Sequence, residues 1–179
     1  LYSREIIRTV AQALRDTKIL LVIDPVMIAT SGAVLLKKNA VRALLEELFP
    51  LATLITPNLD ETAHILGRKI SEPEEAREAA WELSQRFKCA ALVKGGHLRG
   101  LKRAPDFFND GAAEWMLEAP FVRGVSSHGT GCTYSAAIAA NLAQGFSLFD
   151  SLVKAKEFIS NALASSRRTA GHDVLNAFW

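Results

Sequence analysis

Three short, mostly apolar runs, Ile19-Leu-Leu-Val-Ile23, Thr53-Leu-Ile-Thr56 and Ala90-Ala-Leu-Val93, do most to limit how this chain can fold. Each has the length of a strand, and none alternates apolar with polar residues as a strand wetted on one face would. Strands buried on both faces need covering layers, and the stretches between the runs supply them. Ser3 to Asp16 places Ile6, Ile7, Val10, Ala11 and Leu14 at helical spacing, and Asn39 to Phe49 sets Val41, Leu44, Leu45 and Leu48 on one face. Strands alternating with helices predict an α/β fold with a parallel sheet covered on both sides, its ligands bound at the carboxyl ends of the strands.

The remaining elements follow from punctuation. Asn58 to Leu66 reads as a short helix stopped by Gly67. Ser71 as a cap, Pro73 near the first helical position and Glu74 three residues after the cap open a helix running to about Phe87. Asp106-Phe-Phe-Asn and Glu114-Trp-Met-Leu-Glu, separated by Asp110-Gly111, predict an antiparallel hairpin. A glycine-punctuated turn, Ser127-His-Gly-Thr-Gly131, delivers a small-residue helix to about Gln144, and a last helix covers Leu148 to Ala164.

With 179 residues, 49% of them hydrophobic, the chain has material for one core and reads as a single domain. A net charge of +2 without a dense basic face argues against nucleic-acid binding; the cluster Arg99-Gly-Leu-Lys102-Arg103 reads as a solvated loop. The apolar runs are too short to span a bilayer and no charged-then-apolar leader opens the chain, so a soluble, cytoplasmic protein is expected. Cys89 and Cys132 lie in unlike contexts without metal-ligand spacing, which argues against a disulfide or zinc framework.

Chemistry concentrates in the glycine turn. The first-turn N–H groups of a helix and the positive end of its dipole favour an anion, and Gly129 and Gly131 remove side chains that would obstruct a phosphate. Cys132 sits where the dipole favours a thiolate, so its pKa is expected to be lowered; the structural alternative is a small buried residue beside a Thr130 or Thr133 cap. No Gly-Lys-Ser/Thr follows, so this is not a P-loop, and the third glycine of the dinucleotide fingerprint is missing.

The run His128-Gly-Thr-Gly-Cys-Thr133 before a small-residue helix resembles the hydroxymethylpyrimidine and phosphomethylpyrimidine kinases of the ribokinase-like superfamily, with Cys132 where most superfamily members carry aspartate. Asp24-Pro-Val-Met27, Asn58-Leu-Asp-Glu61, Lys94-Gly-Gly-His97, the late helix around Lys156 and the segment Gly171 to Leu175 are similar to the family's other motifs. The family's opening strand, with its Gly-Ser-Asp loop, and the following pocket segment have no counterpart, so residues 1–179 correspond to the C-terminal portion of the family domain, N-terminally incomplete.

The resemblance implies a three-layer αβα, ribokinase-like fold, its central sheet mostly parallel with a small antiparallel hairpin. It also implies ATP as donor, Mg2+, a hydroxymethylpyrimidine or its monophosphate as acceptor in thiamine biosynthesis, and a homodimer. Asp24 and Glu61 would organise the metal, with Asn58 in support, although Asn58 and Glu61 equally fit a capping box. Val26 and Met27 would wall the pyrimidine pocket, and Lys94 would lie on the nucleotide side. Lys156 would either line the nucleotide site or be a solvated helix lysine. Gly129, Thr130 and Gly131 would form the anion hole, with Cys132 accepting the proton of the attacking hydroxymethyl group or orienting that hydroxyl. A pyridoxine or pyridoxal kinase is the alternative enzyme, and a catalytically silent pyrimidine- or nucleotide-sensing domain the alternative of another class.

Overall fold

The computed structural model describes residues 2–27, 35–96, 98, 100–122, 129–169 and 172–178. Of the features singled out above, His97, Arg99, Ser127, His128 and Gly171 lie outside the described residues.

The chain opens on α1 (Arg4–Leu14), capped by Ser3, whose hydroxyl accepts from the Ile6 N–H. Then come β1 (Val22–Ile23), α2 (Lys38–Ala43), β2 (Leu54–Ile55), α3 (Leu59–Leu66), α4 (Pro73–Phe87) and β3 (Ala90–Lys94). They are followed by β4 (Arg103–Asn109), β5 (Glu114–Pro120), α5 (Thr130–Ala143) and α6 (Leu148–Ala164). A small separate hairpin, β6 (Arg167–Thr169) with β7 (His172–Val174), follows, and no sequence pattern announced it.

The five main strands lie in the order β1-β2-β3-β4-β5. β1, β2 and β3 pair in parallel, β4 runs against β3, and β5 runs against β4, so four of the five strands point the same way. This is the expected mostly parallel sheet, with the hairpin built into its edge. Because side chains alternate across a strand, β1 to β4 each feed two cores, whereas β5 meets only the second, through Leu117 and Trp115. Ile23, Ile55, Ala91, Val93 and Phe107 pack under α1 to α4, whereas Leu54, Ala90, Leu92 and Phe108 pack under α5 and α6. Three layers result. Phe49 meets Phe87 edge to face at 4.9 Å in the first core, and Phe108 stacks on its cross-strand partner Trp115 at 4.7 Å beside the second, each pair contributing about 0.5–1.5 kcal/mol beyond burial.

Several boundaries differ from the sequence reading. β1 pairs only at Val22–Ile23, and Ile19 and Leu20 are exposed. The reason is the length of β2, which comes straight off the 3-10 turn Phe49–Leu51, so Leu21 is the earliest residue of this run that β2 engages, its carbonyl accepting from Thr53 and Leu54. The helix expected over residues 39–49 passes from α2 into a π-helical turn, Leu44–Leu48, in which the Phe49 N–H reaches back to the Leu44 carbonyl. Pro50, next in line, has no N–H to continue an α-helical ladder. The cap of α4 is Glu72 rather than Ser71, and Glu75 rather than Glu74 reaches back, accepting from the Ser71 and Glu72 N–H groups.

Candidate active site

The carboxyl ends of β1, β2 and β3 and the start of α5 converge. Asp24 follows β1, Thr56 follows β2, and Lys94 is the last residue of β3. The Lys94 ammonium lies 2.7 Å from Asp24 Oδ1, and both side chains are largely buried. Thr56 Oγ1 is 3.4 Å from the same carboxylate oxygen and 2.8 Å from Ser135 Oγ, and Ser135 donates to the Gly131 carbonyl at 3.0 Å. A chain of hydroxyls therefore ties the strand ends to the first turn of α5.

Gly129 is the cap of α5, with φ at 80°, a conformation that glycine adopts without penalty. The first α-helical bond runs from the Thr133 N–H to the Gly129 carbonyl, so the N–H groups of Thr130, Gly131 and Cys132 have no acceptor inside the helix. Lys94 Nζ lies 3.1 Å from the position a Cβ on Gly131 would occupy. An ammonium brought to the positive end of a helix is unfavourable unless an anion sits between them, so this corner is built for one. Thr130 Oγ1 is buried there without a hydrogen-bond partner among the described residues.

Glu61, in the first turn of α3, is only 2% exposed. The capping box is formed: Asn58 Oδ1 accepts from the Glu61 N–H at 2.9 Å, and Glu61 Oε2 accepts from the Asn58 N–H at 2.8 Å. Burial raises the Glu61 carboxyl to about 7, and the nearby Asp24 carboxylate adds to that push, while the Asn58 amide, Lys94 and the Met27 amide oppose it. A buried Glu61 carboxyl raised in part by the Asp24 carboxylate suits a cation between the two, and among the described residues no third His, Cys, Asp or Glu completes an all-protein metal cage. Such a donor set fits Mg2+, which keeps waters and takes phosphate oxygens as its remaining ligands.

The expectation of a lowered thiol pKa at Cys132 is overturned. The side chain is exposed rather than a buried packing residue, and its pKa is raised. Partial desolvation is the main cause, followed by the charge and hydrogen bond of Asp24 and the charge of Glu61, against which Lys94 pulls down. Partial desolvation and the two carboxylates thus act against ionisation of the thiol.

Of the two expected pyrimidine walls, Val26 is exposed beside Asp24, but Met27 is 1% exposed and packs in the α1–α4 core. Lys156 is not a solvated helix lysine: its ammonium is 2.6 Å from Asp106 Oδ2 and 2.9 Å from the Ala104 carbonyl. It borders a cleft of about 310 Å³ between β5 and α6, lined by Leu117, Ala119, Pro120, Val153 and Ser160. Asp106, only 3% exposed, also accepts the Gly95 N–H at 3.0 Å. Gly95 admits no side chain, because a Cβ would run into the Pro105 carbonyl oxygen. Thr56, Ser135 and Asp106 were not singled out from sequence. The available signal was a polar residue in an otherwise apolar strand or helix face, a pattern that surface positions share.

A family model described as phosphomethylpyrimidine kinase matches residues 1–176. The hydroxymethylpyrimidine/phosphomethylpyrimidine kinase of Rhizobium meliloti is 46% identical over 167 residues, covering 92% of this chain and 62% of that protein. The structure of a Bacillus subtilis pyridoxal kinase in complex with ADP superimposes with a TM-score of 0.89 at 32% identity, covering 99% of this chain and 67% of that one. A phosphomethylpyrimidine kinase structure from Clostridium difficile gives 0.77 at 33% identity, over 91% and 66%. The chain thus spans a little under two thirds of the Rhizobium kinase it matches, in a ribokinase-like fold. With the match running through almost every residue, it belongs to the phosphomethylpyrimidine kinase family.

Proposed function

We propose that this chain carries the phosphoryl-transfer end of an ATP-dependent kinase acting on 4-amino-5-hydroxymethyl-2-methylpyrimidine and then on its monophosphate, in thiamine biosynthesis. The observation that carries the reading is the placement of the Lys94 ammonium beside Gly131 in the first turn of α5, whose amides have no acceptor inside the helix. Phosphoryl transfer asks mainly for positioning and for stabilisation of charge on the transferred group. The acceptor oxygen, that of the hydroxymethyl group in the first transfer and of the monophosphate's phosphate in the second, forms a bond to the γ-phosphorus, the bond to the β-bridging oxygen breaks, and ADP leaves.

In this reading the Thr130, Gly131 and Cys132 amides hold the transferring group, and Lys94 adds a positive charge on the nucleotide side. Mg2+, held by Asp24 and Glu61 through water with Asn58 fixing Glu61, would offset phosphate charge. Val26 faces the acceptor. Cys132 touches the acceptor hydroxyl and either orients it or accepts its proton. The homodimer and cytoplasmic location implied by the family belong to the same reading; among the described residues no helix is long and apolar enough to cross a membrane.

Cys132→Ala is expected to lower kcat by about 100-fold while the Kd for MgATP changes by less than about threefold. Steady-state ADP release and titration calorimetry measure the two, and full activity in the variant would take Cys132 out of the chemistry. Gly131→Ala should separate stability from activity in the other direction. Alanine favours the helix by up to about 1 kcal/mol, but its Cβ crowds the Lys94 ammonium, so the melting temperature holds or rises while turnover falls about tenfold.

The likeness to pyridoxal kinases favours one second reading, a kinase of pyridoxal. MgATP-dependent ADP release with hydroxymethylpyrimidine, its monophosphate and pyridoxal side by side separates them. Turnover on both pyrimidines supports the proposal, and turnover on pyridoxal alone replaces it. Silence on all three would point to a sensing domain.

A further inference from the structure

Lys94 and Asp106 are register partners across β3 and β4, so their side chains leave the same face of the sheet, the one covered by α5 and α6. Opposed residues in an antiparallel pair lie roughly 4.5–5.5 Å apart at Cα, within easy reach of a lysine for a carboxylate. Lys94 does not take this partner. Its ammonium goes to Asp24 at 2.7 Å and to the first turn of α5, beside Gly131.

What occupies Asp106 instead comes from α6. Lys156 Nζ sits 2.6 Å from Oδ2 and is fixed by a second bond to the Ala104 carbonyl, while Oδ1 accepts the Gly95 N–H. The Lys156 ammonium also lies 5.9 Å from the centre of the Tyr134 ring. Asp106 is 3% exposed, and a buried carboxylate deprived of its cation is costly, so it draws whichever cation can reach it. Lys94, directly across the strand pair, is the one placed to answer.

We infer that Lys156 is a positioning residue whose ion pair with Asp106 reserves Lys94 for Asp24 and the anion site at the start of α5. Two lysines and two aspartates, all largely buried, are thereby sorted into two pairs, and the sorting decides where the Lys94 charge points. The inference rests on the proposed function only in taking the anion at α5 to be the transferring phosphate.

The test is a crystal structure and a kinetic comparison of the full chain with Lys156→Met. The Lys94 ammonium is expected on Asp106 rather than Asp24, and kcat is expected to fall about 10- to 100-fold, as a misplaced phosphate-binding group requires. Adding Asp106→Asn removes the competing charge but keeps an oxygen for the Gly95 N–H. It should return Lys94 to Asp24 and kcat to within about fivefold of the parent. Lys94 still on Asp24 in the Lys156→Met structure would overturn the inference. So would a double variant that stays as slow as Lys156→Met, because Lys156 would then act on the nucleotide itself. Should Lys156→Met fail to fold, the double variant decides alone: Lys94 on Asp24 with near-parent turnover supports the inference, and correct placement with lost turnover sinks it. If the parent phosphorylates none of the candidate acceptors, the proposed function fails, and the position of Lys94 in the two structures still decides this point.

Discussion

Lys94→Met is expected to lower kcat/KM for MgATP-dependent ADP formation by about 10²–10³-fold in a chain that remains folded. The lysine is the last residue of β3, and its ammonium stands between the Asp24 carboxylate and the amides of the α5 first turn. Methionine keeps the length and apolar stem of the side chain, so what is lost is the charge. The loss should fall on kcat more than on nucleotide affinity if charge grows on the transferred group, because an interaction stronger in the transition state than in the ground state shows itself there. Lys94→Arg should rescue little. A planar guanidinium is bulkier than an ammonium and presents its donors as a fork rather than as a point charge, so it does not reproduce the position Lys94 Nζ takes 2.7 Å from Asp24. Steady-state kinetics with a thermal melt on each variant check this; parent-like turnover in Lys94→Met would remove Lys94 from the phosphate site.

The elements that sequence makes legible are those whose ends carry their own chemistry. α6 begins after Ser147, whose hydroxyl accepts from the Asp150 N–H, and ends at Ala164 as its spacing predicts. α3 lies between the Asn58 cap and a left-handed Gly67, and the β4–β5 turn is closed by Asp110, whose side chain accepts from Ala112 and Ala113. Of the candidate site, Asp24, Glu61, Lys94 and Gly129 to Gly131 fall at strand ends or helix starts, positions that punctuation marks in the sequence. What was not legible depends on partners distant in the chain. Nothing in the spacing around Lys156 says that it will meet Asp106, 50 residues earlier, on an adjoining strand. The thiol of Cys132 was misread for the same reason. The helix start is local and visible, but Asp24 and Glu61, which oppose its effect, arrive from other parts of the chain. The short β1 likewise reflects what β2 offers it rather than the apolar run of β1 itself.

Glu61→Gln is expected to stabilise the chain at pH 8 and to change it little near pH 4.5. The Glu61 carboxyl is raised to about 7 in the folded chain, from an ordinary value of 4.5. Between those values the folded state holds a proton that the unfolded state has released. Unfolding free energy then falls as pH rises, and the loss is complete above pH 7. At 1.36 kcal/mol per pH unit, a rise of this size implies a ceiling of roughly 3 kcal/mol. Glutamine keeps an oxygen for the Asn58 N–H, so the capping box survives while the titration is removed. For a chain of this length the difference at pH 8 amounts to roughly 5–10 °C in melting temperature. Melting curves from pH 4.5 to 8.5 should therefore diverge, the parent falling below the variant. A divalent cation bound beside Asp24 and Glu61 favours the ionised carboxylate, so millimolar Mg2+ should narrow the gap at pH 8 and leave it unchanged at pH 5. Parallel curves would mean that Glu61 titrates as an ordinary carboxylate, and the two carboxylates would then have no raised affinity for a cation to relieve.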